Sequence, residues 1–78
     1  PEADRSAGDG LLRSPIQGTV VRVAAKTGDS VAQGQTICVV EAMKMENDVS
    51  AHRDGALTDV RVVPGMAVRV GDPIAEIT

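Results

Sequence analysis

One lysine stands between two methionines in Glu41-Ala42-Met43-Lys44-Met45-Glu46, and its side chain is the one best suited to covalent chemistry in this sequence. Lys44 and Lys26 are the only lysines, and the remaining cations are arginines, which stay protonated and do not act as nucleophiles. In water an ammonium group is overwhelmingly protonated at neutral pH, so a lone lysine attacks poorly. It becomes useful when a separate enzyme brings an activated acyl group and accepts the proton. The amide so formed also erases a positive charge. In a β geometry Met43 and Met45 fall on one side of this stretch, with Ala42, Lys44 and Glu46 on the other. Two readings stay open for the methionines: flexible thioethers that several partners recognise in turn, or filler for the end of a core.

Other constellations are nearly absent. His52 and Cys38 are the only residues of their types, too few for the three or four ligands of a usual zinc site. No spacing of carboxylates suggests a paired general acid and base. The glycines do not form a phosphate-binding loop leading into a helix. No catalytic residue and no metal site is therefore expected. The chain of 78 residues has no Phe, Tyr or Trp, and its formal net charge is −3. Single-stranded nucleic acid relies on aromatic stacking, and a phosphate backbone on excess positive charge, so neither partner fits. One cysteine cannot form an internal disulfide, and no apolar run reaches membrane-spanning length. We expect an intracellular location, cytoplasmic or, in a eukaryote, the mitochondrial matrix. Pro1 in place of Met suggests a piece cut from a longer chain.

Residues 1–10 (PEADRSAGDG) are small, polar and turn-rich, and read as a flexible linker to a domain over residues 11–78. Within that domain the sequence repeats. Sliding it by 37 residues, without a gap, superimposes Gly18 on Gly55, Gly28 on Gly65 and Gly34 on Gly71, and Val23, Val31 and Ile37 on Val60, Val68 and Ile74. Inside each half the period is two. Val21, Val23 and Ala25 share one face, and Arg22 and Lys26 share the other. In the second half Val60 and Val62 point inward, Asp59 and Arg61 outward. Thr36–Ala42 is almost wholly apolar, as befits a strand covered on both sides. Its repeat partner Pro73–Thr78 exposes Glu76, which places Ala75 and Ile77, and hence Cys38 and Val40, inward. Strands are predicted near 11–14, 18–26, 36–42, 45–50, 55–63 and 73–78, with short pieces around 30–32 and 67–69. Turns are predicted at Gly28, Gly34, Gly55, Gly65 and Gly71. The fold class that follows is all-β: a flattened β-barrel or sandwich of antiparallel strands with pseudo-two-fold symmetry. Residues 42–46 join its halves, which sets Lys44 at an exposed hairpin tip.

Glu41 to Glu46 closely resembles the EAMKM signature of biotinyl domains in biotin-dependent carboxylases, decarboxylases and transcarboxylases. The likeness runs over about residues 14–78, including Pro15-Ile16-x-Gly18, Gly28-Asp29 and Gly34. The resemblance implies eight strands in two four-stranded sheets, with biotin joined by an amide to Lys44. Glu41, Ala42, Met43 and Met45 would form the recognition motif around it. It implies a biotin protein ligase that installs the group from biotinyl-adenylate. It further implies a biotin carboxylase that loads carboxylate, and a carboxyltransferase that passes it to an acyl-CoA or 2-oxo acid. The domain itself would be a monomeric, non-catalytic carrier. Two departures are visible. The gapless repeat leaves no room for the inserted "thumb" of some bacterial acetyl-CoA carboxylase carriers, and Ala51-His52-Arg53-Asp54-Gly55 lacks the proline that many relatives have near His52. Two rivals share the architecture: a lipoyl domain, whose lysine usually sits in Asp-Lys-Ala, and an unmodified β-barrel adaptor.

Overall fold

Short β-branched runs separated by glycine turns fold here into eight strands and no helix, in a computed structural model that describes residues 10–78. The strands are β1 (Leu11–Arg13), β2 (Gly18–Val23), β3 (Ser30–Val31), β4 (Thr36–Ala42), β5 (Met45–Ser50), β6 (Gly55–Val60), β7 (Ala67–Val68) and β8 (Pro73–Ile77). They pair antiparallel in two four-stranded sheets, ordered β1-β8-β6-β3 and β5-β4-β2-β7. Exchanging each strand for its repeat mate converts one order into the other. The linker assigned to residues 1–10 lies, except for Gly10, outside the described residues. Gly10 is buried and its carbonyl accepts from the Ile77 N–H at 2.7 Å.

The symmetry extends to single hydrogen bonds. The Gly28 N–H donates to Leu57 O at 2.8 Å, and the Gly65 N–H to Val20 O at 2.6 Å. Ser14 N–H donates to Asp72 O, and its mate Ala51 N–H to Gln35 O, both at 2.8 Å. These bonds tie each half to the other, so neither sheet is the product of one half alone. Gly28, Gly34, Gly65 and Gly71 all have φ between 90° and 100°, which only glycine adopts without strain. The turns fall where the repeat placed them.

The core lies between the sheets: Val20, Ile37, Cys38, Val40, Leu57, Ile74, Ala75 and Ile77 are almost completely buried. Aliphatic side chains of this size fill a thin layer without aromatic rings. Ile37 through Val40 are all at 0 % exposure, as expected for a strand covered on both sides. The two sheets form a sandwich and do not close into a barrel, which narrows the fold class to its second form.

One expected face is wrong. Val20, not Val21, points inward, and Val21 is 39 % exposed. The cause is a β-bulge: Val20 opposes Val40 and Arg22 opposes Val39, so Val21 is the extra residue. Val23 still packs against the core, because the inserted residue restores the phase. Thr58 is the extra residue at the matching place in β6, and Ile37 and Ile74 are the extra residues in β4 and β8. Val60 and Val62 face inward as expected, and Arg61 is exposed. β2 and β6 are also shorter than expected, ending at Val23 and Val60.

Candidate functional site

The hairpin β4–β5 carries the lysine. Ala42 pairs directly with Met45, which leaves only Met43 and Lys44 in the turn. Both have positive φ, 53° and 68°. Two consecutive left-handed residues make a type I′ turn, whose twist matches that of the strands it joins. Asn-Gly is the usual choice there; Met-Lys is a strained one, at a cost on the order of 1–3 kcal/mol per residue. The connection is the two residues left between the strands predicted over 36–42 and 45–50, the tightest part of the 42–46 stretch that joins the halves.

The turn also redistributes the side chains. Ala42 and Met45 are cross-strand partners and share a face, as do Glu41 and Glu46 one pair further down. The expected division, with both methionines on one side and Ala42, Lys44 and Glu46 on the other, assumed unbroken alternation that a two-residue turn does not keep. Met43 is 94 % exposed and Met45 66 %, so neither fills the end of the core. Lys44 is exposed at the tip. Asn47 braces the hairpin from within: its Nδ2 donates to Met45 O at 3.2 Å and reaches Val40 O at 3.5 Å.

Beside the tip Ile16, Gln17 and Gly18 meet Glu41, Ala42 and Met43 around a groove of about 490 Å³. Gly18 permits this contact. A Cβ there would come within 2.8 Å of Val40 Cγ1 and closer still to the Glu41 carbonyl. Ser14, buried before it, donates from Oγ to Ile16 O at 2.6 Å and fixes the approach of that segment. Ile16 and Gln17 were not among the expected site residues, although Pro15-Ile16-x-Gly18 stood out in the sequence.

The other candidates stay apart from the tip. Cys38 is wholly buried, and burial pushes its thiol above the ordinary range. His52 lies exposed in the bend after β5. Among the described residues no group of His, Cys, Asp and Glu is arranged to hold a metal ion. A primary amine on an exposed two-residue turn is suited to carry a covalently attached group, because a modifying enzyme reaches it without disturbing the core.

Known proteins agree with this geometry. Residues 10–77 match the family model described as "Biotin-requiring enzyme". The chain is 47 % identical over 72 residues to the biotin-dependent acyl-coenzyme A carboxylase alpha3 subunit of Mycobacterium leprae, covering 92 % of this chain and 12 % of that protein. It is 35 % identical over 77 residues to the biotin carboxyl carrier protein of Streptococcus mutans, covering 99 % and 58 %. The chain thus spans less than two thirds of either relative. Among solved structures, a single-chain, multi-domain long-chain acyl-CoA carboxylase superposes with a TM-score of 0.78 at 37 % identity, over 87 % of this chain and 7 % of that one. The lipoyl domain of the 2-oxoglutarate dehydrogenase complex of Azotobacter vinelandii, at 24 % identity and a TM-score of 0.72 over 88 % and 95 %, shares the fold. With a lysine hairpin of this shape on a fold of this symmetry, the chain belongs to the biotin-requiring enzyme family, as a biotinyl domain of the carboxyl carrier type.

Proposed function

We propose that Lys44 is the residue that carries biotin, and that the chain is the non-catalytic carrier of a biotin-dependent carboxylase. The observation that supports this most is the turn itself: an exposed amine at the single tight junction between two matching halves, flanked by two exposed methionines. When bound, biotin supplies a site that takes up and gives back a carboxyl group. The residues of this chain do the rest. Lys44 Nζ gives up a proton to the modifying enzyme, displaces AMP from the biotinyl-adenylate that the enzyme supplies, and keeps the group through the amide bond so formed. The β4–β5 pairing holds that attachment point clear of the core, and Met43 and Met45 offer apolar contacts beside it. Glu41 and Ala42 fix the approach of the strand through their pairing with Glu46 and Met45.

The partners that follow are a biotin protein ligase, a biotin carboxylase and a carboxyltransferase, with an acyl-CoA or 2-oxo acid as final acceptor. Holding the carrier in the same assembly makes delivery intramolecular, so its benefit is an effective concentration in place of a second-order encounter. An intracellular setting belongs to the same proposal.

Co-expression with a biotin protein ligase, followed by intact mass and streptavidin blotting, tests it. The expected result is one biotin per chain, abolished by Lys44→Arg with the fold intact by circular dichroism. Lys26, the one other lysine, serves as an internal control. Label surviving in Lys44→Arg, or a lipoyl adduct in place of biotin, overturns the assignment.

A further inference from the structure

The two halves share a backbone but not a surface. On the outer side of β2 and its neighbour β7, Val21, Val63 and Met66 are 39 %, 63 % and 41 % exposed. They are adjacent: the Val20 N–H donates to Met66 O, the Gly65 N–H to Val20 O, and the Met66 N–H closes its turn on Val63 O. Arg22 follows Val21 in the bulged strand, and Arg69 follows β7. Neither arginine forms an ion pair with another described residue. The acids around this face are Glu41, opposite Thr19 on the adjacent strand, Asp48, opposite Val39 one strand further out, and Asp72, whose Oδ2 accepts from the Arg69 backbone N–H at 2.8 Å.

The repeat supplies an internal control for this face. Val21, Val63 and Met66 correspond to Thr58, Lys26 and Asp29 in the other half, and Arg22 and Arg69 to Asp59 and Ala32. There the surface is polar and locally paired. Asp29 Oδ2 accepts from the Lys26 N–H at 3.0 Å, and Asp59 is bridged by Arg61 at 2.9 Å. The same backbone thus tolerates polar residues at these places. In a chain of net charge −3, one of two equivalent faces is instead apolar and positively edged.

We propose that this face docks the body of the carrier onto the carboxylase that it serves, against an apolar surface edged with carboxylates. The inference rests on the carrier reading above and names a second contact beside the lysine. Three part-exposed side chains amount to a few hundred Å² at most, the size of a functional patch on a monomer. A stable interface needs about 800 Å² from each partner, so the contact is weak enough to release a carrier that must move between sites. A symmetric dimer through this face would set Arg22 and Arg69 of one copy against those of the other, which like charges oppose. The modifying enzyme has the exposed tip methionines to recognise. The patch lies level with Val39 and Val40, roughly 10 Å back along the hairpin at about 3.3 Å per residue. A partner gripping it leaves Lys44 free to enter a cleft.

The probe is the Mycobacterium leprae acyl-CoA carboxylase alpha3 subunit lacking the segment that this chain matches. The biotinylated chain, isotopically labelled, is titrated with it and followed by NMR. Amide shifts are expected at residues 20–22 and 63–69, with affinity at least tenfold lower in Val21→Thr/Val63→Lys/Met66→Asp, which borrows the residues of the other half. Raising salt from about 50 to 500 mM is expected to weaken binding several-fold, as exposed charges are screened. Equal binding by the triple variant, shifts confined to residues 42–46, or probe-independent self-association through the same face each overturn the proposal. Intact mass reports biotinylation separately. Unmodified wild-type chain refutes the carrier reading, whereas a fully modified triple variant with undiminished binding refutes only this one.

Discussion

Cys38 shows how completely a residue's chemistry depends on where its strand runs. With no exposure and a position in β4 between the sheets, its thiol acts as a small apolar side chain. Burial disfavours the thiolate and raises the pKa in the folded state. The unfolded chain ionises first, near the free-thiol value of about 8.5, and gains the stabilisation of that ionisation. Stability from this source is therefore complete below that pH and is lost as pH rises through the folded value. Urea titrations should give a free energy of unfolding that declines as pH rises above the free-thiol value of about 8.5. In Cys38→Ala, less stable throughout because it leaves a small cavity, that decline should be absent. The inward position of Cys38 was legible in the alternation of β8, because Glu76 can only face out and the repeat transfers that phase to β4.

At the scale of the element, the hairpin and the bulges were read unequally. The existence of β4, β5 and a tip at Lys44 follows from an apolar run, a polar break and a second strand. The turn type does not, because Met-Lys carries none of the Asn-Gly chemistry that announces a type I′ turn. The bulge at Val21 was invisible for a similar reason. It contains neither glycine nor proline, and a Val-Val pair reads the same in either register. Comparison of the halves could have exposed it, since Val20 aligns with Leu57 and Val21 with Thr58. The strain at Met43 and Lys44 has a consequence for stability. Replacing both, as Met43→Asn/Lys44→Gly, should stabilise the unmodified domain by about 1 kcal/mol. That corresponds to roughly 4–8 °C in Tm for a domain of this size, measured by thermal denaturation. The same variant loses the amine, so the more stable hairpin is the one that cannot be modified.

Across the whole molecule, the gapless repeat was the most informative feature of the sequence. It predicts not only matching strands but the exchange by which each sheet draws on both halves. Gly18 marks where this exchange is tightest. Its missing side chain lets β2 lie against the hairpin strand, with Val40 and the Glu41 carbonyl in the space a Cβ would take. Gly18→Ala should therefore cost at least about 1–3 kcal/mol, read from chemical denaturation, and should shift the NMR signals of residues 40–43. What the repeat conceals is where the halves differ outside the core, because core positions dominate the alignment while surface positions are free to diverge.

Gly10, just before β1, and Ile77, at the end of β8, lie together, joined by the bond from the Ile77 N–H to Gly10 O at 2.7 Å. Tension drawn between them is borne by one antiparallel pair, loaded so that it unzips a bond at a time and does not shear. A pull applied at these two points is thus taken up by β1 and β8, strands that do not pair with the β4–β5 hairpin carrying Lys44.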